Sequence, residues 1–169
     1  AVESPQYLVA TSGLQVRNAA ELVALAKARA GKLSYASVAV GSASHLTMEM
    51  LKTAAGVDII HIPYKGAGPA VTDLVAGNVD VAFLVPGNVQ QFIKEGRLKL
   101  LATSGKKRFP STPDVPTLLE LGYTDFVATS WIGFLAAAGT PKPIIDRLHK
   151  EITQILKSPD ISERLQAME

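Results

Sequence analysis

Apolar runs alternate with helical spacings along this chain. Short runs rich in β-branched residues, such as VDVAFLV at 79–85, predict strands that are covered on both faces. Between them, apolar residues three and four positions apart predict helices. The predicted strands are 7–10, 33–40, 58–62, 79–85 and 98–103, with at least one more within 126–135. The predicted helices are 19–30, 44–55, one from Gly68-Pro69 to Gly77, 89–94, 117–121 and 141–156.

This alternation through short Gly- and Pro-containing turns predicts βαβ units. We therefore expect an α/β fold with a mainly parallel sheet flanked by helices, and the four strands between residues 33 and 103 at its centre. The last helix is amphipathic over 141–156 and carries its apolar residues on one face. These residues are Ile144, Leu148, Ile152 and Ile155.

Composition narrows the class of protein. The 169 residues are 47% hydrophobic and 19% charged, which is typical of a globular chain. A net charge of +2 is too balanced to predict nucleic-acid binding, and the absence of cysteine excludes disulfides and thiolate chemistry. No apolar run reaches the roughly 20 residues of a membrane span, and no signal-peptide pattern precedes the first strand. The abrupt start predicts a mature, processed or truncated product.

Three polar, glycine-containing segments follow predicted strands. They are GSASH at 41–45, YKGAG at 64–68 and PGN at 86–88. In an open α/β sheet, ligands bind beyond the carboxyl ends of the strands, where loops lead into helices. We therefore expect the three segments to share one edge of the sheet and to form a binding site there.

The segment 41–45 suits an anion best. Gly41 lets the backbone approach a ligand, Ser42 and Ser44 add hydroxyl donors, and a helix start adds unpaired N–H groups with partial positive charge. The alternative is that Ser42 or Ser44 simply caps the helix.

Ser42 with His45 also suggests a small serine hydrolase, but the second glycine of a G-x-S-x-G nucleophile elbow is missing. His61 lies in an apolar strand and is interpreted as a core or sheet-edge residue, and His149 as solvent-facing. Three histidines without helical metal spacing or an acidic cluster predict no metal site. No dinucleotide or Walker fingerprint is present, so we expect no cofactor.

Several strings, taken in order, resemble the Bug (TctC-type) family of periplasmic solute-binding proteins of tripartite tricarboxylate transporters. The resemblance spans nearly the whole chain. The strings include YAS (35–37), GSASHL (41–46), AGVD (55–58), IPYKG (62–66), AGNVD (76–80), PDVPT (113–117) and GTP (139–141).

The resemblance implies one lobe of a type II periplasmic-binding-protein (Venus-flytrap) fold, in which two α/β lobes close on a small carboxylate without catalysis. It implies that 1–126 form the second ligand-binding lobe. Residues 127–169 would then be a crossover segment and C-terminal helix that return toward the missing N-terminal lobe. It also implies a periplasmic location and membrane permease subunits as partners. Without its partner lobe, the fragment is expected to self-associate through an apolar face around Trp131 and Phe134.

Carried over residue by residue, the family's ligand loop falls on Gly41, Ser42, Ala43, Ser44 and His45. The Lys65-Gly66 loop lies beside it, and Asn88 belongs to a third loop that departs from the family pattern. Two other functions remain open at this point: the effector domain of a LysR-type regulator, and a small serine hydrolase that uses Ser42 and His45.

Overall fold

The computed structural model describes residues 2–166. Strands and helices alternate through most of this range, as predicted. The elements are β1 (Val2–Pro5), β2 (Tyr7–Thr11), α1 (Ala19–Ala28), β3 (Ser34–Ser37), α2 (Ala43–Ala55), β4 (Ile60–Pro63), α3 (Ala67–Ala76), β5 (Val81–Leu84), α4 (Pro86–Lys94), β6 (Leu98–Thr103), β7 (Thr129–Ile132), α5 (Lys142–Leu156) and α6 (Pro159–Gln166).

Five strands form one sheet in the order β4-β3-β5-β2-β6. β3 pairs in parallel with β4 and β5, whereas β2 is antiparallel to both β5 and β6, so β2 alone opposes the other four strands. The predicted α/β fold with a mainly parallel sheet is confirmed. The prediction that all four strands between residues 33 and 103 lie centrally is wrong for β4 and β6, which form the edges. The edge strand β6 is largely buried, as is the central strand β5, so apolar content does not reveal lateral position.

Side chains alternate between two cores on the two faces of the sheet. Along β2, Leu8 and Ala10 face one core while Tyr7 and Val9 face the other. The first core packs against α1 and α2, and the second against α3 and α4. This double cover explains the continuous apolar runs of β2 and β5, because both strands are buried on both sides.

A separate two-stranded ribbon carries the chain into and out of this unit. β1 and β7 pair antiparallel, from Val2 opposite Ile132 to Pro5 opposite Thr129. The strand expected within 126–135 is therefore confirmed as β7. β1 lies within the range 1–126 assigned to the lobe, yet it pairs only with the segment that follows that range in the chain.

Beyond the ribbon, α5 lies apart from both cores. It contains no buried residue, and the apolar side chains of Ile144, Leu148 and Ile155 are 50%, 49% and 55% exposed. An amphipathic helix gains most of its stability by burying its apolar face. In the described chain, the apolar face of α5 is not covered.

Two helix boundaries differ from the sequence prediction. α4 begins at Pro86 rather than at residue 89, because proline fits the first helical position, where no N–H is needed. The predicted helix at 117–121 is a turn. Thr117 and Glu120 do exchange the capping hydrogen bonds of a helix start, but the chain reverses at Gly122 (φ 90) before a second turn can form.

Candidate functional site

Three helices begin together at one edge of the five-stranded sheet. Since β3, β4 and β5 are parallel, α2, α3 and α4 all start at the carboxyl ends of these strands. Two of the loops are joined, because Tyr64 N–H donates to Ser37 O (2.9 Å) and Gly66 N–H donates to Val38 O (2.8 Å). The structure thus brings the three polar segments to one edge, as the sequence predicted. That they bind a ligand stays a prediction.

The two serines between β3 and α2 use their hydroxyls within the protein. Ser42 is the N-cap of α2, and its Oγ donates to Ala39 O (2.6 Å) while accepting from His45 N–H (3.4 Å). Ser44 is buried, and its Oγ accepts the Val38 N–H (3.0 Å) and lies 3.0 Å from Ser42 Oγ. Because Ser42 gives its one proton to Ala39, Ser44 is the donor between the two hydroxyls. Both hydroxyl protons are therefore engaged inside the turn.

The donors that this turn offers to a ligand are backbone N–H groups. Ala43 and Ser44 are the first two residues of α2, where no carbonyl of the helix lies one turn earlier to pair with their N–H groups. Gly41 shapes the turn with φ 76, a conformation that strains residues with a side chain. The partial positive charge at the helix start favours an anion here.

Lys65, Gly66 and Asn88 come to the same edge from the neighbouring loops. Gly66 is the N-cap of α3 (φ 111), and Asn88 is the third residue of α4, with its N–H donating to Val85 O (3.1 Å). Lys65 is exposed. Neither α3 nor α4 has a side-chain cap, so no capping side chain occupies the N–H groups of their first turns.

The contacts of Ser42 and His45 do not form a nucleophile and base. His45 Nδ1 accepts the N–H of Gly41 (2.9 Å), and the bond between the two residues runs from His45 N–H to Ser42 Oγ rather than through the ring. A hydrolase needs the hydroxyl proton directed at the imidazole. Ser37 Oγ does lie 2.7 Å from His61 Nε2, but Ser37 is fully buried, whereas a nucleophile must meet its substrate.

A stack of three rings lies under α2, and sequence reasoning did not foresee it. His61 stacks on Tyr35 with ring centroids 4.7 Å apart, and His45 stacks on His61 at 4.1 Å. His61 is a half-buried residue of an edge strand, as interpreted from the sequence. Its partners follow from the register of β3 and β4, which places Tyr35 opposite His61. Strand register cannot be read from a sequence. The only signal was that β3 and β4 each carry one ring-bearing residue, Tyr35 and His61.

Glu49 and Lys52 complete this cluster on the α2 side. Tyr35 Oη donates to Glu49 Oε1 (2.6 Å), and Lys52 Nζ donates to the same oxygen (2.8 Å). Burial alone would raise the pKa of Glu49, but the bonds from Lys52 and Tyr35 hold it below its ordinary value. Burial and the Glu49 carboxylate raise the pKa of Tyr35, and burial with the neighbouring His45 lowers the pKa of His61.

Other kinds of site find no support in the described range. Within residues 2–166, no three His, Asp or Glu side chains come together as metal ligands would. No helix in that range is long and apolar enough to cross a bilayer. A surface depression lined by Ala28, Lys32 and Asp80 lies at the opposite edge of the sheet, where β3 and β5 begin.

Comparison with known proteins matches the whole chain to one family. The profile of the tripartite tricarboxylate transporter family receptor covers residues 1–169. Protein BugT of Bordetella pertussis is 38% identical over 163 residues, which are 96% of this chain and 50% of that protein. Two solved structures superpose closely. Rpa4515 of R. palustris with adipate has a TM-score of 0.93 at 31% identity, covering 98% of this chain and 56% of that one.

The second structure, the periplasmic binding protein BugD, has a TM-score of 0.92 at 38% identity, covering 99% of this chain and 56% of that one. The chain therefore spans about half the length of the relatives that it matches. Its sheet order, its three helix starts and its sequence agree with one assignment: the chain belongs to the tripartite tricarboxylate transporter receptor family.

Proposed function

We propose that this chain is one ligand-binding lobe of a periplasmic solute-binding protein. The protein captures a small carboxylate and presents it to the permease subunits of a tripartite tricarboxylate transporter. Family membership supports this role, and a structural neighbour of similar fold holds adipate. The observation that carries the proposal is the meeting of three helix starts at one sheet edge.

In this proposal the carboxylate is held mainly by the backbone. The N–H groups of Ala43 and Ser44 face it from α2. Those at the start of α3 and the N–H of Gly87 in α4 face it from the neighbouring loops. Each helix start adds partial positive charge, and the exposed Lys65 adds a full one. Gly41, Ser42 and His45 shape the turn, while Gly66 and Asn88 shape the neighbouring helix starts.

The rest of the clamp lies outside this chain. We assign 1–126 to the lobe and 127–169 to a segment that returns toward the missing part, with the β1–β7 ribbon as the connection. The uncovered apolar face of α5 and the exposed Trp131 (65%) and Phe134 (76%) support this division. Surfaces of this size and character are normally covered by another part of the protein.

Calorimetry on the longer protein and on the 169-residue chain, side by side, tests the proposal. Adipate is the probe, and hexamethylenediamine, a dication of the same length, is the control. We expect the longer protein to bind adipate and not the diamine. The shorter chain should bind adipate far more weakly, because half of the clamp is absent. Equal, tight binding by both would show that the missing half is not part of the clamp.

The proposal contains no catalytic step. A serine-directed fluorophosphonate should therefore leave Ser42 and Ser44 unmodified. The Ser42 proton is engaged by Ala39 O, and the Ser44 proton by Ser42 Oγ. Stoichiometric labelling of either serine would contradict the binding role and favour a hydrolase.

A further inference from the structure

The side chain of His45 joins the turn before α2 to the ring stack. His45 Nδ1 accepts the N–H of Gly41 at 2.9 Å, while the face of its ring lies 4.1 Å from His61 with an interplanar angle of 10°. Gly41 is the residue whose positive φ turns the chain into α2. One imidazole therefore connects the backbone of the proposed anion site to the cluster below it.

Hydrogen bonding fixes the tautomer of His45 in this structure. An imidazole nitrogen that accepts an N–H carries no proton, so His45 holds its proton on Nε2. Ser37 Oγ lies 2.7 Å from His61 Nε2 and 3.1 Å from Ala39 O, so either the hydroxyl or the ring can be the donor between Ser37 and His61. Both rings are satisfied in their neutral forms. A proton added to His45 would turn Nδ1 into a donor that faces another donor.

We propose that neutral His45 is a positioning residue for the carboxylate site, and that protonation of the His45–His61 pair releases Gly41 and weakens carboxylate binding. This rests on the proposed function and adds regulation by pH to it. The mechanism is geometric: losing the Nδ1 acceptor frees the Gly41 N–H, and the turn that orients the Ala43 and Ser44 N–H groups loses one of the hydrogen bonds that hold it.

The charged and titratable neighbours of the pair agree with a neutral resting state. From α2, Glu49 and Lys52 face the rings, and from β3 Tyr35 stacks on His61. Glu49 is already paired with Lys52 and Tyr35, so its charge is compensated. Two imidazolium rings 4.1 Å apart would repel each other. Burial and the adjacent His45 also lower the pKa of His61.

A bound carboxylate favours the protonated form of His45, because an anion attracts an imidazolium. This attraction opposes the weakening of carboxylate binding by acid. We expect the loss of the Gly41 bond to outweigh this attraction. His45 can gain a proton only at Nδ1, which breaks its hydrogen bond with the Gly41 N–H. In the proposed site, the carboxylate is held by N–H groups of the same turn. Acid therefore weakens binding.

The first test follows the Gly41 amide and the ring nitrogens of His45 and His61 by NMR in the 169-residue chain. The titration runs from about pH 8 to about pH 5.5, where histidine changes charge. We expect the Gly41 amide resonance to shift together with protonation of His45. A Gly41 resonance that stays in place while His45 protonates overturns the positioning role, whatever the protein binds.

The second test measures adipate binding by the longer protein over the same range. We expect affinity to fall about tenfold or more, the change that corresponds to one pKa unit. His45→Asn should keep most of the affinity at high pH and show a flat profile, because its Oδ1 takes the position of Nδ1 and can accept from Gly41 but does not titrate. His149→Gln on the exposed α5 is the control and should keep the wild-type slope.

The outcomes distinguish the pH effect through His45 from the proposed carboxylate-binding function. Adipate affinity that is flat or rises on acidification, with normal binding at high pH, overturns this inference and leaves the proposed function standing. No adipate binding at any pH counts against the proposed function, and the Gly41 titration still decides the positioning role by itself.

Discussion

Gln6 Nε2 donates a hydrogen bond of 2.9 Å to Thr47 Oγ1, although 41 positions separate the two residues in sequence. Both side chains are buried, with 2% of each exposed. Gln6 lies between β1 of the ribbon and β2 of the sheet, and Thr47 lies in α2, one turn after the buried Ser44. This bond therefore fixes the entry of the chain to the helix that carries the proposed carboxylate site.

The backbone of Gln6 also forms hydrogen bonds that hold it in place. Gln6 N–H donates to Ser104 Oγ (2.8 Å), and Ser104 N–H donates back to Gln6 O (2.9 Å). Ser104 O in turn accepts from Ala128 N–H (3.0 Å), directly before β7. Ser104 thus ties the inner ends of both ribbon strands to the sheet, and the Gln6 amide extends this joint to α2.

Thr47→Val should destabilise the protein by about 1–3 kcal/mol, because it keeps the shape of the side chain but leaves the buried Gln6 amide without its acceptor. Urea unfolding measures the change. Thr53→Val is the control: Thr53 lies on the exposed face of the same helix and bonds only to Glu49 O in the preceding turn. Equal losses from both substitutions would mean that the cost arises from valine in the helix and not from the tie to Gln6.

Ala43→Pro in the longer protein should reduce adipate affinity roughly tenfold to a hundredfold, the loss expected for one hydrogen bond to a charged group. The substitution deletes one N–H at the first position of α2, where proline is well accommodated, and Ser42 already has the extended backbone that precedes proline. The helix should therefore persist, as circular dichroism can verify. Ala19→Pro, at the first position of α1 and likewise preceded by an extended N-cap, Asn18, is the control and should bind adipate normally. Normal binding by Ala43→Pro would exclude backbone capture at this turn.

Ser44→Ala should act on stability more than on affinity. Ser44 Oγ accepts the Val38 N–H from a buried position, so its loss leaves that donor unpaired and should cost about 1 kcal/mol or more. Urea unfolding and calorimetry on one preparation separate the two effects. A large loss of adipate affinity with unchanged stability would instead show that the hydroxyl contacts the ligand directly.

Stability should fall on acidification through the range in which His61 titrates. Burial and His45 hold the pKa of His61 below its ordinary value of 6.5, so the unfolded chain binds more protons than the folded chain in this window. The free energy of unfolding therefore decreases as the pH falls from 6.5 toward the lower folded-state pKa. Urea unfolding at several pH values measures the slope. His61→Phe should reduce it and His149→Gln should not; a wild-type slope in His61→Phe would assign the pH dependence to other groups.

The 169-residue chain should self-associate at high concentration, because Trp131 and Phe134 expose 65% and 76% of their surface and the apolar face of α5 is also uncovered. Sedimentation velocity over a concentration series detects this. Replacing both residues by serine should shift the chain toward monomer, whereas Leu121→Ser, at a 39% exposed site on the lobe, should not. A chain that is monomeric at every concentration contradicts the prediction.

The sequence by itself determined the local events of this fold. The change from an apolar run to Gly41 and Ser42 marks a strand that ends and a helix that begins, because glycine permits the positive φ and serine caps the first turn. Such signals act within a few residues, so they can be read without the rest of the chain. They also predicted the order of strands and helices along the chain, and from that order the edge of the sheet where three helices begin.

Only the tertiary structure decided the direction of β2, the edge positions of β4 and β6, and the partners of the polar side chains. Tyr35, His45 and His61 stack because two strands pair in one register and α2 packs over them. Gln6 reaches Thr47 for a similar reason. These contacts join residues that are far apart in sequence, and they depend on how the two cores pack. For that reason the sequence could propose serine hydroxyls for the ligand, while the folded chain directs those protons to Ala39 and Ser42.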